Sequence, residues 1–144
     1  MSIIAYDGKI IAADRQATCG DFKRTVHKLI RLVPSGVILG WTGAQDAGLT
    51  LSRWWQDGAN HDKYPEFQQT DNWCRLVVLA EGKLVTYEQT PECIEMLDPI
   101  HAFGSGRDYA MGAMEMGSGA IKAVEITCKH CTGCGMGVDW FEVR

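Results

Sequence analysis

The chain predicts an α+β fold, a four-layer αββα sandwich of two antiparallel sheets between helices. Three observations point there. Short apolar strands come in consecutive pairs joined by tight turns, beginning at Asp7-Gly8. Helical periodicity is confined to one central run and two runs near the end. A last strand follows those helices, so strands and helices come in blocks rather than in βαβ alternation.

Ser2 to Tyr6 and Lys9 to Ala13 are rich in Ile and Ala and read as strands. Asp7-Gly8 between them is a two-residue hairpin signal, because both residues tolerate the positive φ of a type I′ turn. Thr25 to Leu32 alternates, with Val26, Lys28, Ile30 and Leu32 on one face. Pro34-Ser35-Gly36 turns the chain, and Val37 to Trp41 returns as a largely apolar strand. A lysine on an apolar face is costly unless it is paired or used. Asp14 is the candidate partner for Lys28.

Gly43 to Asp57 carries Ala44, Ala47, Leu51, Trp54 and Trp55 at helical spacing and stops at Gly58. Ala59 to Asn72 is polar, contains Pro65, and reads as a loop. Trp73 to Ala80 and Lys83 to Glu88 are strands joined at Glu81-Gly82, and Glu92 to Leu97 adds a short one. Arg107 to Met116 is a helix, broken by Gly117 to Gly119, and Ala120 to Lys129 is a second. Gly133 to Gly137 is a turn, and Val138 to Val143 closes the chain as a strand.

The 144 residues suit one domain spanning 1–144, and 46% of them are apolar, enough for a real core. A formal charge of −4 without a basic stripe argues against a nucleic-acid partner. No apolar run approaches a membrane span, and strand patterning starts at once without a signal peptide. The expected location is cytoplasmic, with the six cysteines as reduced thiols. Cys128, Cys131 and Cys134, with His130 among them, read either as a metal or redox loop or as small apolar residues in a Gly-rich turn. Zinc usually takes four ligands in two pairs, and only this trio is evident, so no metal is expected.

Four stretches resemble the proteasome β-subunit and HslV-like family of N-terminal-nucleophile (Ntn) hydrolases, whose fold is the αββα sandwich. They are Ile10 to Thr18, Lys28 to Leu32, Val37 to Gly43, and Ala102 to Ala110 with its Gly104-Ser105-Gly106 turn. Ala120 to Glu125 then resembles the family's penultimate helix. All four lie in the family's order along nearly the whole chain.

The resemblance implies a peptidase that uses a chain-terminal hydroxyl, with no cofactor. The catalytic position falls on Ser2 once Met1 is removed, the buried aspartate on Asp14, and the active-site lysine on Lys28. The oxyanion glycine falls on Gly40 and the supporting serine on Ser105. The first specificity pocket falls near Ala17, Val26, Ile38 and Thr42, all small or apolar, which favours an apolar substrate side chain. The chemistry is coherent, because an α-amine has a reference pKa of about 7.7–8.0 and can act as the base.

Three departures stand out. A retained Met1 would bury the Ser2 amine in a peptide bond. Before the last strand, Thr132 can stand for the family's serine, but Lys129 replaces its acid. After Gly43 one helix is evident where the family has a helical hairpin, and Trp54 and Trp55 suit either a subunit interface or the core. The expected partners are a peptide or unfolded-protein substrate, further copies of the chain in a ring-like oligomer, and an ATP-dependent unfoldase. The alternative is an inactive assembly or binding subunit of the same fold. A thiol-based metal or redox protein ranks third.

Overall fold

The computed structural model describes residues 2–143. Its strands are β1 (Ile4–Tyr6), β2 (Ile10–Asp14), β3 (Gln16–Cys19), β4 (Phe22–Thr25), β5 (Leu29–Arg31) and β6 (Ile38–Thr42), then β7 (Arg75–Ala80), β8 (Lys83–Tyr87), β9 (Cys93–Met96), β10 (His101–Phe103) and β11 (Val138–Glu142). The α-helices are α1 (Gln45–Gln56), α2 (Arg107–Glu115) and α3 (Ala120–His130). The chain divides into two compact units, residues 1–29 with 98–144, and residues 30–97.

The first unit holds an antiparallel sheet in the order β10-β1-β2-β11. Helices α2 and α3 cover it, with α3 lying across β1 and β2. The core between them is built from Ile3, Ala5, Ala12, Ala110, Met114, Ala120, Ala123 and Val124. Alanines on both surfaces let helix and sheet backbones approach closely.

Asp7 ties this unit together. The predicted hairpin forms, but its turn runs from Asp7 to Ile10, with Tyr6 paired to Ile11. The reason is the Asp7 carboxylate, whose Oδ1 accepts the N–H groups of Lys9 (2.9 Å) and Ile10 (2.8 Å) in an Asx-type turn. Oδ2 accepts the Ala120 N–H at 2.8 Å, so the same side chain satisfies a donor at the start of α3. Desolvation pushes this carboxyl upward, but the backbone hydrogen bonds from Ala120, Ile10 and Lys9 outweigh it and hold it below the ordinary range.

The predicted strand from Thr25 to Leu32 is not continuous. It splits into β4 and β5, and β4 pairs back onto β3 in a two-stranded hairpin. Residues 26–28 leave the ladder because each is drawn elsewhere. The Val26 N–H bonds Arg15 O at 2.8 Å, His27 Nδ1 meets Asp139 Oδ2 at 2.7 Å, and Lys28 turns to Asp14. Lys28 therefore sits in a strand break rather than on a strand face.

The second unit holds an antiparallel sheet in the order β5-β6-β7-β8-β9, with α1 packed on β6 and β7. Every residue of β6 is buried, as its continuous apolar run implies. Gly48 in α1 sits against the Trp41 indole, where a Cβ would come within 2.2 Å of the ring. Trp54 takes the core position, meeting Tyr64 and Tyr87 edge-on, while Trp55 is half-buried.

The segment after α1 contains two 3₁₀ turns, His61–Lys63 and Glu66–Gln69, where a second long helix would complete a hairpin. It is an ordered clamp. The fully buried Gln68 amide accepts the Cys74 N–H (2.8 Å) and donates to Cys74 O (2.7 Å), Glu88 O (2.6 Å) and Tyr64 Oη (3.2 Å).

Candidate active site

The first unit brings Ser2, Asp14, Lys28 and Ser105 together. Ser2 is 2% exposed and precedes β1. Its N–H donates to Ser105 Oγ at 3.2 Å, and its carbonyl accepts from the Gly106 N–H at 3.3 Å and from Ser105 Oγ at 3.4 Å. The turn at 104–106 thus brackets the Ser2 backbone. Gly104 makes that turn at φ 102°, a left-handed conformation that favours glycine. Gly106 admits no side chain, since a Cβ there would lie 2.3 Å from Thr127 Cγ2 and 3.3 Å from Ile3 Cβ.

The Ser2 hydroxyl is buried and has no hydrogen-bond partner among the described residues. An unmatched buried hydroxyl costs on the order of 1–3 kcal/mol. The Ser2 backbone, by contrast, is hydrogen-bonded through both its N–H and its carbonyl.

Asp14 ends β2 and is fully buried. Its Oδ1 accepts the Ile3 N–H at 3.1 Å and the Lys28 ammonium at 2.8 Å. Its Oδ2 accepts the N–H groups of Gln16 and Gly135, each at 3.2 Å. Lys28 is itself 3% exposed. A buried ion pair survives desolvation only when its remaining valences are met, and here backbone donors meet them. Because one oxygen takes both Lys28 and the peptide N–H that follows Ser2, the ammonium is held beside the start of the chain.

Thr132 is exposed, and its carbonyl, not its hydroxyl, reaches inward, accepting from Gln16 Nε2 at 3.2 Å. Gln16 also donates to Thr18 Oγ1 at 3.2 Å. The three backbone donors to Asp14, from Ile3, Gln16 and Gly135, carry no side-chain signature in the sequence.

No family model matches the chain. The ATP-dependent protease subunit HslV of Listeria welshimeri is 28% identical over 157 residues, an alignment covering 89% of this chain and 88% of that protein. Among solved structures, BPH from Thiobacillus denitrificans superposes with a TM-score of 0.74 at 18% identity, covering 100% of this chain and 98% of its own. Eukaryotic HslV from Trypanosoma brucei gives 0.73 at 19% identity, covering 99% and 98%. The chain is thus similar in sequence to HslV over most of both lengths. Its fold is that of the proteasome-related Ntn hydrolases, α+β with antiparallel sheets, and its curated relatives are proteases.

The remaining expected residues lie as follows. Ala17 on β3 and Val26 after β4 are half-buried in the first unit. Ile38, Gly40 and Thr42 alternate along β6 in the second unit, so they share one face of that strand and are all buried. The backbone of Gly40 stands opposite Val77 of β7. Among the described residues no group of three or more His, Cys, Asp or Glu could hold a metal ion. No described helix is long and apolar enough to cross a membrane.

Proposed function

We propose that the chain is the peptidase subunit of an ATP-dependent protease, with Ser2 as nucleophile once Met1 is removed. The observation that carries this reading is the buried Ser2 hydroxyl, without a partner among the described residues, next in sequence to the Ile3 N–H that shares Asp14 Oδ1 with Lys28. The freed Ser2 amine takes the hydroxyl proton as general base, held by Ser105. The Lys28 ammonium disfavours a second positive charge on that amine and favours the developing alkoxide. Asp14 holds Lys28 in place. The Gly40 N–H serves the oxyanion, a contribution of about 3 kcal/mol for such a donor. Thr132 assists through its carbonyl, which positions Gln16 and so the Asp14 end of the site. Ala17, Val26, Ile38 and Thr42 receive an apolar substrate side chain. Residues 1–144 act as one catalytic domain, in the cytoplasm, within a homo-oligomeric ring fed with unfolded protein by an ATPase. The chemistry needs neither metal nor cofactor.

The test is expression without any tag, followed by intact mass and cleavage of a fluorogenic peptide amide. Met1 itself lies outside the described residues. Loss of Met1 and activity abolished by Ser2→Ala support the reading. Ser2→Thr is expected to be faster, because the β-methyl restricts the χ1 of the nucleophile. Retained Met1, with equal rates in all three proteins, overturns catalysis in favour of an assembly or binding subunit.

A further inference from the structure

The peptidase reading leaves one chemical feature unused, the Cys131-Thr132-Gly133-Cys134 turn that follows α3. The Cys134 N–H donates to Cys131 O at 3.1 Å, closing a four-residue turn. Such a turn holds its end Cα atoms within about 7 Å, the range a disulfide can span. The two side chains already face each other, with Sγ atoms 3.7 Å apart. All six cysteines are free thiols. Cys131 is partly exposed, whereas Cys134 is 3% exposed and packs in the core with Ile3 and Val124.

We propose that Cys131 and Cys134 form a redox-active dithiol that closes to an intramolecular disulfide, with Cys131 as the entry thiol and a small-molecule disulfide as oxidant. The Cys131 thiolate, its proton lost to solvent, attacks the external disulfide and expels one thiolate. The Cys134 thiolate then attacks the Cys131 sulfur of the mixed disulfide and expels the second. Two protein thiols are oxidised and one external disulfide is reduced to two thiols, so electrons balance. Exposure assigns the order, since only Cys131 is open to a reagent.

The position in the fold sets the poise. The pair lies just beyond the C-terminal end of α3. Burial first, then the Asp14 charge and neighbouring Cys131, push the Cys134 thiol up to about 12. A dithiol whose thiolate is not stabilised gains little from staying reduced, so the closed form is the resistant one. Closure has a local consequence, because Cys134 adjoins Gly135, whose N–H holds Asp14 and whose carbonyl accepts from Arg15 N–H at 3.0 Å. This inference goes beyond the peptidase reading and does not depend on it.

The experiment treats the whole protein with oxidised glutathione and follows intact mass and peptide maps. The expected product is lighter by two hydrogen atoms, linked 131 to 134, and restored by dithiothreitol. Cys128→Ser is expected to behave like the parent, and Cys131→Ser to lose the product. If Cys131→Ser does not fold, alkylation of the native parent answers the same question: Cys131 reacts before Cys134, and the singly alkylated protein cannot close. A link through Cys128, or glutathione adducts alone with no mass loss, overturns the proposal.

Discussion

The Lys28 ammonium and Asp14 Oδ1 stand 2.8 Å apart with both side chains buried. Removing either partner alone strands a charge in the core, so Lys28→Met is expected to cost about 3–5 kcal/mol. The double variant Lys28→Met with Asp14→Asn is expected to recover a large part of that. Urea denaturation of the two singles and the double forms the cycle. A double as unstable as the sum of the singles would show that the pair contributes no coupling.

Gly106, whose N–H bonds the Ser2 carbonyl, packs closely against Thr127. Gly106→Ala drives its methyl into Thr127 Cγ2 and is expected to destabilise by about 1–3 kcal/mol. Adding Thr127→Ser removes the obstructing methyl and keeps the hydroxyl that donates to Ala123 O at 2.9 Å. Thermal melts are expected to show partial recovery in the double variant.

Ser105 touches Ser2 but is itself exposed. Ser105→Ala is therefore expected to leave Tm within a degree or two. Loss of one neutral hydrogen bond to Ser2 N, worth about 1 kcal/mol, should lower kcat about fivefold with KM unchanged. A collapse in Tm instead would make Ser105 a folding residue.

Asp7 gives the chain a pH-dependent brace. Its folded-state pKa lies below the ordinary 3.8, so between the two values the unfolded chain binds more protons. The stabilisation is fully present above the unfolded value and is lost as pH falls through the folded one. Asp7→Ala is expected to cost about 1 kcal/mol at neutral pH. Melts from pH 6 down to pH 3 should show the gap between parent and Asp7→Asn narrowing below about pH 4.

Gln68→Leu leaves the Cys74 N–H and carbonyl and the Glu88 carbonyl without their amide partner. With each buried unmatched group costing about 1–3 kcal/mol, this is expected to be among the most damaging single changes in the second unit. Hydrogen exchange should accelerate first at Cys74.

Much of this was legible in the residues. The Asp7 hairpin, α1 ending before Gly58, the helix break at Gly117 to Gly119 and the pairing of Lys28 with Asp14 all follow from local chemistry. The β3–β4 hairpin did not show, because all four residues of β4 are exposed and carry no apolar rhythm. The break at residues 26–28 was hidden for the opposite reason, since an alternating pattern runs straight through it. Strand β10 has only three residues, too few for any period to register. Gln68 looked like one polar residue in a polar loop, and its neighbours in space, not in sequence, make it a clamp. The site shows the same division. The family resemblance pointed to Ser2, Asp14, Lys28 and Ser105, whereas the amides of Gln16 and Gly135 are visible only when the chain is folded.

Those amides settle what Asp14 is able to do. An ionised carboxylate offers about four lone-pair directions, and Ile3, Lys28, Gln16 and Gly135 occupy all of them. The carboxylate is therefore pinned in one orientation, tying the start of the chain, β2, Lys28 and the turn at Gly135 to a single point.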